Sequence, residues 1–525
     1  MTYYNRISEA SLREALAIMP AVFLNGPRQA GKSTLVQHLA GTFFPADYVT
    51  FDDVAVYAIA SHDPEGFLRH FARPVILDEV QRVPEIFRAL KLLIDEHRAK
   101  GKAQANGRFL LTGSANIMAL PELANALVGR MAVLSLYPLS AGEAMGDGAP
   151  VINGWFDQEI AFSKGADTSR EKISVDEIIH RATFPEITGA SRSQSALWFD
   201  GYLTTLLQRD VRDLAEIEKI PALPNIVKIL AARAGGLLND ADCARDAKLN
   251  PMTYRRYRTL LQQLFLIMLV PPWYRNIGKR LVKSPKLFFT DTALLCHQLG
   301  VDVTGLSQQN PGLFGHVLEN FVASELTKQM AALSDGALYH FRTQDDKEVD
   351  FIIERRNGAL LGIEVKARSA VTPDDFTGLK VLKKQVGKDF VRGIVLYTGK
   401  DTIPFGDDMV AMPLDSLWTF NMKVSTDRDI RYSSDLMSYI FWAQYGDRTR
   451  IRCVVPQDVM NDHFLDKATP EQHRSSIIKH WNIIWPLFIR KITGGDIKVV
   501  RHEGQSIRQV ILESQDFGRQ DFRKP

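Results

Sequence analysis

The stretch "FLNGPRQAGKSTLVQHL" (residues 23–39) constrains the fold of this chain most. An apolar run ends in a loop that fits the pattern GxxxxGK[ST] without a gap, and a helical pattern follows. Gly26 and Gly31 permit backbone angles that point several N–H groups inward, and such a nest binds anions. A helix that begins near Lys32 would add its positive N-terminal end. The segment therefore predicts a phosphate-binding loop between a buried strand and a helix.

The residues predicted to hold the phosphates of ATP are contiguous: Gly26, Pro27, Arg28, Gln29, Ala30, Gly31, Lys32, Ser33 and Thr34. Lys32 is expected to reach the β- and γ-phosphates, and Ser33 is expected to offer its hydroxyl to Mg²⁺. Arg28 is interpreted as a surface residue of the loop. The alternative, a chance glycine turn before a structural helix, is disfavoured because the motif and its context agree. ATP and Mg²⁺ are therefore the predicted cofactors.

An acidic pair follows a second buried strand, in "PVILDEVQ". Asp78 and Glu79 end that strand, and ligands bind at the carboxyl ends of strands in open α/β sheets. Asp78 is predicted to hold Mg²⁺ through water, and Glu79 to orient or deprotonate the attacking water. A solvated acidic strand end would be the usual interpretation if no phosphate loop preceded it by about fifty residues.

Two more segments fit a nucleotide site. "FLLTGSAN" is a buried strand that ends in hydroxyls, so Thr112 or Ser114 is a candidate sensor of the γ-phosphate. "ALVGR" places Arg130 just before the next strand, where an arginine could stabilise transition-state charge in its own or a neighbouring subunit. A surface salt bridge is the alternative for Arg130. The trans role would imply a homo-oligomer.

A basic segment lies at residues 240–290, with ten Lys or Arg residues and three Asp residues, a net charge of +7. Residues 241–247 and 252–264 read as two helices joined by a turn, and two strands around a basic tip follow. This pattern predicts a winged helix-turn-helix, whose second helix would meet DNA in the major groove. The residues expected to contact nucleic acid are Arg255, Arg256, Arg258, Lys279 and Arg280. A lid or protein-contact module is the alternative that keeps the same fold.

A second constellation lies in "KEVDFIIERRNGALLGIEVKA" (residues 347–367). Glu364 and Lys366 are two residues apart in a predicted strand, so both project from the same face of the hairpin, toward which Asp350 is brought. Two carboxylates and a lysine can hold a divalent metal and activate water. The pattern resembles the restriction-endonuclease-like, PD-(D/E)XK nuclease fold. That resemblance implies a helical glutamate, for which Glu319 matches, and a metal held by Glu319, Asp350 and Glu364. A surface hairpin is the alternative.

Four quoted segments occur in an order that resembles a group of bacterial and archaeal AAA-superfamily ATPases: "GPRQAGKSTL", "VILDEVQRVPEIFRALKLLID", "RFLLTGSAN" and "LVGRMAVLSLYPLSAGE". "ATFPEI" and "YLTTLLQRDVRDL" continue the likeness, which covers roughly residues 10–415. Members carry a C-terminal domain of unknown function. The resemblance implies an AAA-type ATPase core and says little about the biological substrate.

The resulting fold class is α/β, with a parallel P-loop NTPase (AAA-type) sheet first. A helical and winged-helix region, a restriction-endonuclease-like α/β domain and a small α+β domain follow. The predicted domains are residues 1–145 (ATPase core), 146–225 (helical or linker), 226–300 (winged helix-turn-helix), 301–418 (nuclease-like) and 419–525 (unknown role). The start of the chain lacks the pattern of a signal peptide, and no apolar run approaches about 20 residues, so a cytoplasmic protein with no membrane contact is expected.

Three functions remain open at this level. The first is a Mg²⁺-dependent ATPase that drives a DNA-binding winged helix and a nuclease-like domain, as an enzyme of nucleic-acid processing or defence. The second is an ATP-dependent switch whose nuclease-like domain binds without cleaving. The third is a protein-remodelling ATPase, which would show no salt-dependent affinity for DNA.

Overall fold

The computed structural model of this chain describes residues 3–101, 105–114, 127–146, 150–157, 174–210, 220–276, 278, 280, 283–333, 335–419, 424–426, 430–433, 436–445, 449–464, 468–480, 484, 487–488, 491, 498–502 and 505–517. Contacts divide the chain into two units, residues 1–148 with 162–417, and residues 149–161 with 418–525. Among the described residues, no helix is both long enough and apolar enough to cross a membrane.

The first sheet has five parallel strands in the order β2-β3-β4-β1-β5. Their bounds are β1 Ala21–Asn25, β2 Asp47–Thr50, β3 Val75–Asp78, β4 Phe109–Gly113 and β5 Met131–Ser135. Helices cover both faces: Glu9–Ile18, Lys32–Ala40, Val54–His62, Pro64–Arg69 and Ile86–Lys100, with a 3₁₀ turn at Val80–Arg82 and a short helix at Ala141–Ala144. The predicted parallel sheet is confirmed, and it fits a P-loop AAA fold.

Strand β1 shows why this sheet forms, because it is apolar toward both helical layers. Val22 and Leu24 join one buried cluster, and Phe23 joins the cluster on the opposite face. A strand that alternates its side chains between two covered faces must be apolar throughout, as parallel strands are.

The next region is mainly helical and shares one core. Its helices are Val175–His180, Arg192–Thr205, Leu223–Ala231, Asp240–Asp246, Pro251–Gln263 and Thr292–Leu299, with a π-helical turn at Leu206–Asp210 and a 3₁₀ turn at Ile220–Ala222. Two antiparallel strands, β6 Ile267–Val270 and β7 Lys286–Phe289, form a hairpin. The Asn250 side chain caps the helix after it by accepting from the Thr253 N–H. One face of that helix, which includes Tyr254, Tyr257 and Leu261, is apolar and buried.

A second sheet begins after the helix Pro311–Leu333, which we call the connecting helix. Its order is β12-β13-β11-β10-β9-β8. The bounds are β8 Ala337–Arg342, β9 Glu348–Glu354, β10 Leu360–Lys366, β11 Phe390–Tyr397, β12 Ile403–Pro404 and β13 Met409–Pro413. Its helices are Leu306–Gln309, Thr377–Val386 and Ser416–Thr419, with 3₁₀ turns at Pro373–Phe376 and Gly387–Asp389. The predicted hairpin of residues 347–367 is the antiparallel pair β9–β10, with Phe351 opposite Ile363.

The second unit has a six-stranded sheet in the order β14-β16-β17-β19-β18, with β15 on β16. The strands are β14 Val424–Thr426, β15 Arg431–Ser433, β16 Ser438–Tyr445, β17 Thr449–Pro456, β18 Lys498–His502 and β19 Gln505–Ile511. The helices are Ile152–Asp157, Gln457–His463 and Pro470–Lys479, with a 3₁₀ turn at Ser514–Phe517. Residues 149–161 belong to this unit, although the sequence assigned them to the helical region, because local patterns carry no information about which distant segment buries them.

The connecting helix is also fixed to the first sheet by two buried charges. Glu325 Oε2 accepts from the Ala141 N–H at 2.9 Å, and Lys328 Nζ donates to the Leu139 carbonyl at 3.0 Å. The two side chains pair with each other at 3.0 Å and are almost entirely buried. Charges so deeply buried are stable only when paired and hydrogen-bonded, so this contact fixes the helix in one position on the segment after β5.

We expect Glu325→Ala to lower the free energy of unfolding by about 3–5 kcal/mol, because it leaves the Lys328 ammonium buried and unpaired. Denaturant unfolding followed by circular dichroism measures the change in the transition of the first unit. Glu14→Ala is the control, since Glu14 is exposed on a helix of the same unit. A loss for Glu325→Ala no larger than for the control would contradict the structural role of the pair.

Candidate active sites

The phosphate loop follows β1 with three residues at positive φ, Gly26 (154°), Gln29 (64°) and Gly31 (90°). A Cβ on Gly26 would lie 2.1 Å from the Leu136 carbonyl oxygen, so the loop is held against the segment after β5 at a distance that only glycine allows. Gly31 precedes the helix Lys32–Ala40 in the left-handed conformation. The loop thus has the backbone shape that an anion nest requires.

Lys32 is buried in this loop, and its ammonium donates to the carbonyls of Gly26 at 2.9 Å and Pro27 at 2.8 Å. The loop therefore wraps around the lysine side chain. Ser33 is half-buried beside it, and Thr34 is exposed. A fixed ammonium at the start of a helix is positioned to meet an anionic ligand.

Asp78 ends β3, which β4 separates from β1 in the sheet, and it is buried at the same edge as the loop. It accepts hydrogen bonds from Tyr48 Oη at 2.6 Å and from the Thr112 hydroxyl. Burial and the neighbouring Asp78 carboxylate raise the pKa of Tyr48, which keeps the phenol a donor. Tyr48 was not predicted; its place in a strand adjacent to β3 was the available signal.

Glu79 follows with a left-handed backbone (φ 59°), and its N–H donates to Thr112 Oγ1 at 3.3 Å. Gln81 donates to the Glu79 carboxylate and, at 3.1 Å, to Ser114 Oγ. Thr112 and Ser114 thus lie at the site, as predicted, but their hydroxyls contact the acidic pair and Gln81. Gln81 was missed, although "DEVQ" contains it.

A buried arginine, Arg6, contacts both the phosphate loop and the segment after β5. Arg6 donates to the Ala30 carbonyl at 2.8 Å, to the Tyr137 carbonyl at 2.6 Å and to Glu143 at 3.1 Å. Glu143 in turn accepts from the Ser140 N–H at 2.7 Å in a capping box. Nothing in the sequence pattern marked Arg6, whereas Glu143 ends the quoted segment "YPLSAGE".

Arg130 lies at the opposite edge of the sheet. Its carbonyl accepts from Ala21, the first residue of β1, whereas the phosphate loop follows the last residue of that strand. The strand separates them by about 13 Å, and the guanidinium pairs with Asp95 at 2.7 Å. The predicted cis role is therefore not supported, because parallel strands put the two ends of β5 at opposite edges. A trans role stays a prediction.

The second constellation gathers five charged side chains, which we call the carboxylate–lysine cluster: Glu319, Asp350, Glu364, Lys366 and Lys286. Lys366 donates to Glu364 at 2.7 Å, and the Val365 N–H donates to the second oxygen of Asp350 at 2.9 Å. Glu364 Oε2 is buried without a hydrogen-bond partner. The hairpin and the connecting helix thus bring together the four residues that the sequence predicted.

Lys286 was not predicted for this site. It begins β7, and its ammonium lies 2.7 Å from Glu319 Oε1 and 3.1 Å from Asp350 Oδ1. Burial alone would lower the pKa of Lys286, but the charges of Asp350 and Glu319 raise it by more than burial lowers it. The pKa of Lys286 therefore lies above its usual value. The sequence offered one signal for it, a lysine at the start of the second strand of the hairpin.

Within the described residues, no group of three or more His, Cys, Asp or Glu side chains is arranged to hold a metal ion. The predicted metal ligands Glu319, Asp350 and Glu364 therefore do not form a metal site in this arrangement. The Lys286 ammonium lies between Glu319 and Asp350, in the place of a metal that these two carboxylates would hold.

The residues predicted to contact DNA differ in their surroundings. Arg255 is exposed but pairs with Asp240, and Arg258 also pairs with Asp240, at 3.1 Å each. Arg280 pairs with Glu354 and stacks on Trp273 and Tyr339.

Arg258 and Arg280 are largely buried. Their predicted phosphate contacts are therefore not supported, since each guanidinium is already neutralised within the fold. Arg256 is exposed on the same helix as Arg258. Lys279 lies outside the described residues.

Family models match three stretches of the chain. An AAA domain covers residues 19–145, a domain of unknown function (DUF8612) covers residues 173–305, and another (DUF4143) covers residues 314–417. The AAA part of the predicted resemblance is confirmed, because its match includes the five parallel strands and the phosphate loop. The nuclease-like fold stays a prediction.

Two mycobacterial proteins are similar over most of the chain. The uncharacterized protein Rv2008c of Mycobacterium tuberculosis is 32% identical over 422 residues, which cover 80% of this chain and 86% of that protein. Mb2031c of Mycobacterium bovis matches to the same extent. Among solved structures, the replication initiator DnaA bound to AMPPCP and single-stranded DNA has a TM-score of 0.23 at 14% identity, over 50% of this chain and 89% of that chain.

We expect Gly26→Ala to weaken ATP binding by about tenfold or more, because the added methyl group collides with the Leu136 carbonyl and strains the loop by ~1–3 kcal/mol. Titration with a fluorescent ATP analogue measures the affinity. Gly201→Ala is the control, since a Cβ there meets nothing within 4 Å. Equal affinities for the two variants would show that the loop does not hold the nucleotide.

Burial and the charge of Asp350 raise the pKa of Glu364 from 4.5 to about 8. The folded chain then keeps a proton that the unfolded chain has lost, so this carboxyl lowers stability as the pH rises between those two values. We expect Glu364→Gln to raise the melting temperature relative to the wild type by an amount that grows from pH 4.5 to pH 8. A difference that stays constant across this range would contradict the shift.

Proposed function

Because this chain belongs to the family of AAA-domain proteins that includes Rv2008c of Mycobacterium tuberculosis, we propose that it is a Mg²⁺-dependent ATP hydrolase. Its nucleotide state would control the winged-helix region and a nuclease-like domain formed by β8–β13. One observation carries the proposal: the phosphate loop, Asp78 and Glu79 meet at the same edge of one parallel sheet, with Lys32 buried in the loop.

The residues present fit MgATP. Gly26 to Thr34 would bind the phosphates through the inward N–H groups and Lys32, while Ser33 and Asp78 would hold the metal. Bound Mg²⁺ would neutralise charge on the phosphates. Tyr48 and Thr112 fix the Asp78 carboxylate by hydrogen bonds, so it has a defined orientation. Glu79 would accept the proton of the attacking water, and Gln81 would orient the Glu79 carboxylate.

A continuous set of contacts supports transmission from this site. The Ala30 carbonyl in the phosphate loop contacts Arg6, Arg6 contacts Glu143, and Glu143 caps the short helix after β5. The Ala141 N–H of that short helix contacts Glu325 on the connecting helix. A shift of the loop on nucleotide binding would therefore act on a helix that also carries Glu319, in the carboxylate–lysine cluster.

DNA is the proposed partner of the winged-helix region. Support comes from the helices Asp240–Asp246 and Pro251–Gln263, followed by the β6–β7 hairpin, and from the exposed Arg255 and Arg256 on the second helix. The proposed trans role of Arg130 would require a homo-oligomer.

A non-cleaving switch is the second candidate function, and the lysine ammonium between Glu319 and Asp350 favours it. Linear, circular and single-stranded DNA incubated with Mg²⁺ or Mn²⁺, with and without ATP, separates the two. Products that disappear in Glu364→Ala would establish a nuclease. Intact DNA in every condition, with ATP hydrolysis retained, would exclude the nuclease and leave the switch and the protein-remodelling ATPase.

We expect Glu79→Gln to lower kcat for ATP hydrolysis by ~10²–10⁴-fold and to leave ATP binding unchanged, because the amide cannot accept the proton. Lys32→Ala should lose binding as well. Release of phosphate and binding of a fluorescent ATP analogue measure the two effects separately.

Glu85→Gln is the matched control, because Glu85 is an exposed glutamate six residues after Glu79. This variant should hydrolyse ATP at the normal rate. Full hydrolysis by Glu79→Gln would remove the assigned base, and full hydrolysis by Lys32→Ala would overturn the site itself.

A further inference from the structure

Lys286 reaches the carboxylate–lysine cluster from outside the sheet that forms the cluster. It is the first residue of β7, in the hairpin that follows the helix Pro251–Gln263, and its side chain is 7% exposed. Its ammonium bridges Glu319 on the connecting helix and Asp350 on β9. Three separate segments therefore meet at this one nitrogen.

Both oxygens of Asp350 and one oxygen each of Glu319 and Glu364 accept hydrogen bonds in the cluster. Asp350 accepts from Lys286 with one oxygen and from the Val365 N–H with the other. Glu364 accepts from Lys366 through Oε1. A divalent cation would need the same oxygens at about 2.0–2.6 Å. A divalent cation bound to both Glu319 Oε1 and Asp350 Oδ1 would lie close to the Lys286 ammonium, and the two positive charges would repel each other in a buried site.

We propose that Lys286 is a resident cation that takes the place of a divalent metal between Glu319 and Asp350, and that it excludes Mg²⁺ or Mn²⁺ while the hairpin holds this position. This inference rests on the proposed nuclease-like role of the domain and adds its regulation. Removing the Lys286 ammonium would leave three carboxylates beside Lys366. Carboxylate oxygens are hard ligands, which suit such a metal.

The strand that carries Lys286 is fixed to the connecting helix at a second point. The Asn320 side chain accepts from the Phe289 N–H at 2.7 Å and donates to the Phe289 carbonyl at 3.2 Å. The hairpin and the helix would therefore have to part for the lysine to leave the cluster. The same helix contacts the ATPase domain through Glu325 and Lys328, so the proposed nucleotide signal reaches the element that holds the lysine.

The groups around Lys286 are consistent with a permanent positive charge on its side chain. His340 lies beside Lys286, and burial together with the lysine charge lowers the pKa of His340 to about 4. The imidazole is therefore neutral at physiological pH. Among the described contacts, no residue between β6 and β7 brings a second positive charge to the cluster.

The test measures Mn²⁺ binding to the full chain without nucleotide, by electron paramagnetic resonance and calorimetry. We expect Lys286→Met to bind one additional Mn²⁺ at least tenfold more tightly than the wild type. Lys286→Met/Asp350→Asn should lose that binding. Lys283→Met is the control, because it removes an exposed lysine three residues upstream, and it should behave like the wild type.

Lys286→Gln and Lys286→Arg extend the test if the methionine variant fails to fold. Glutamine keeps a hydrogen-bond donor without charge and should admit Mn²⁺, whereas arginine keeps the charge and should exclude it. Wild-type binding that depends on Asp350 and equals that of Lys286→Gln would overturn the proposal. A folded Lys286→Gln that binds no additional Mn²⁺ would also overturn it.

Phosphate release from ATP is measured on the same preparations. Lost hydrolysis in the wild type would count against the proposed ATPase and leave the Mn²⁺ comparison valid. Intact hydrolysis with no change in Mn²⁺ binding would reject the role of Lys286 alone.

Discussion

A buried charge is stable only when an opposite charge lies beside it, and this requirement determines the position of the connecting helix. Glu325 and Lys328 are withdrawn from water, so each needs its partner and a backbone group from the segment after β5. Nearer the N-terminal end of the same helix, the buried Glu319 pairs with Lys286 for the same reason. The helix is thus held at two points by interactions that tolerate little displacement, because a small separation would leave a charge unpaired in a low-dielectric environment. Such contacts suit transmission between sites, since they favour a few discrete positions.

The parallel sheet imposes the other constraint, because all its strands end at one edge. Asn25 and Asp78 end their strands there, and the loops that follow bring the anion nest and the acidic pair together. The same geometry explains why Arg130 is distant from them, as it precedes its strand. Position relative to the direction of a strand therefore decides which residues can share a ligand in this domain.

Local sequence patterns predicted the parts of the sites that are contiguous or separated by one tight turn. The phosphate loop, the acidic pair after β3 and the hairpin with Asp350, Glu364 and Lys366 belong to this class. Arg6, Tyr48 and Lys286 could not be predicted, because their roles depend on which distant segments pack together. The cluster also shows a limit of pattern reasoning: the residues of the predicted metal motif lie together, but a lysine from another element, which the pattern did not include, lies between two of them. Arginines on the helix Pro251–Gln263 and between β6 and β7 similarly predicted a basic surface, which Asp240 and Glu354 partly neutralise.

The second unit is built from two stretches of chain that are far apart in sequence, residues 149–161 and residues 418–525. Trp155 is fully buried, so this early helix has apolar surface to cover long before the later stretch has been synthesised. Once the unit forms, both ends of residues 162–417 are tied to the same body, which closes that segment into a loop. Loop closure reduces the conformational entropy available to the unfolded segment, by an amount that grows slowly with loop length. Formation of the second unit therefore makes unfolding of residues 162–417 less favourable through chain connectivity.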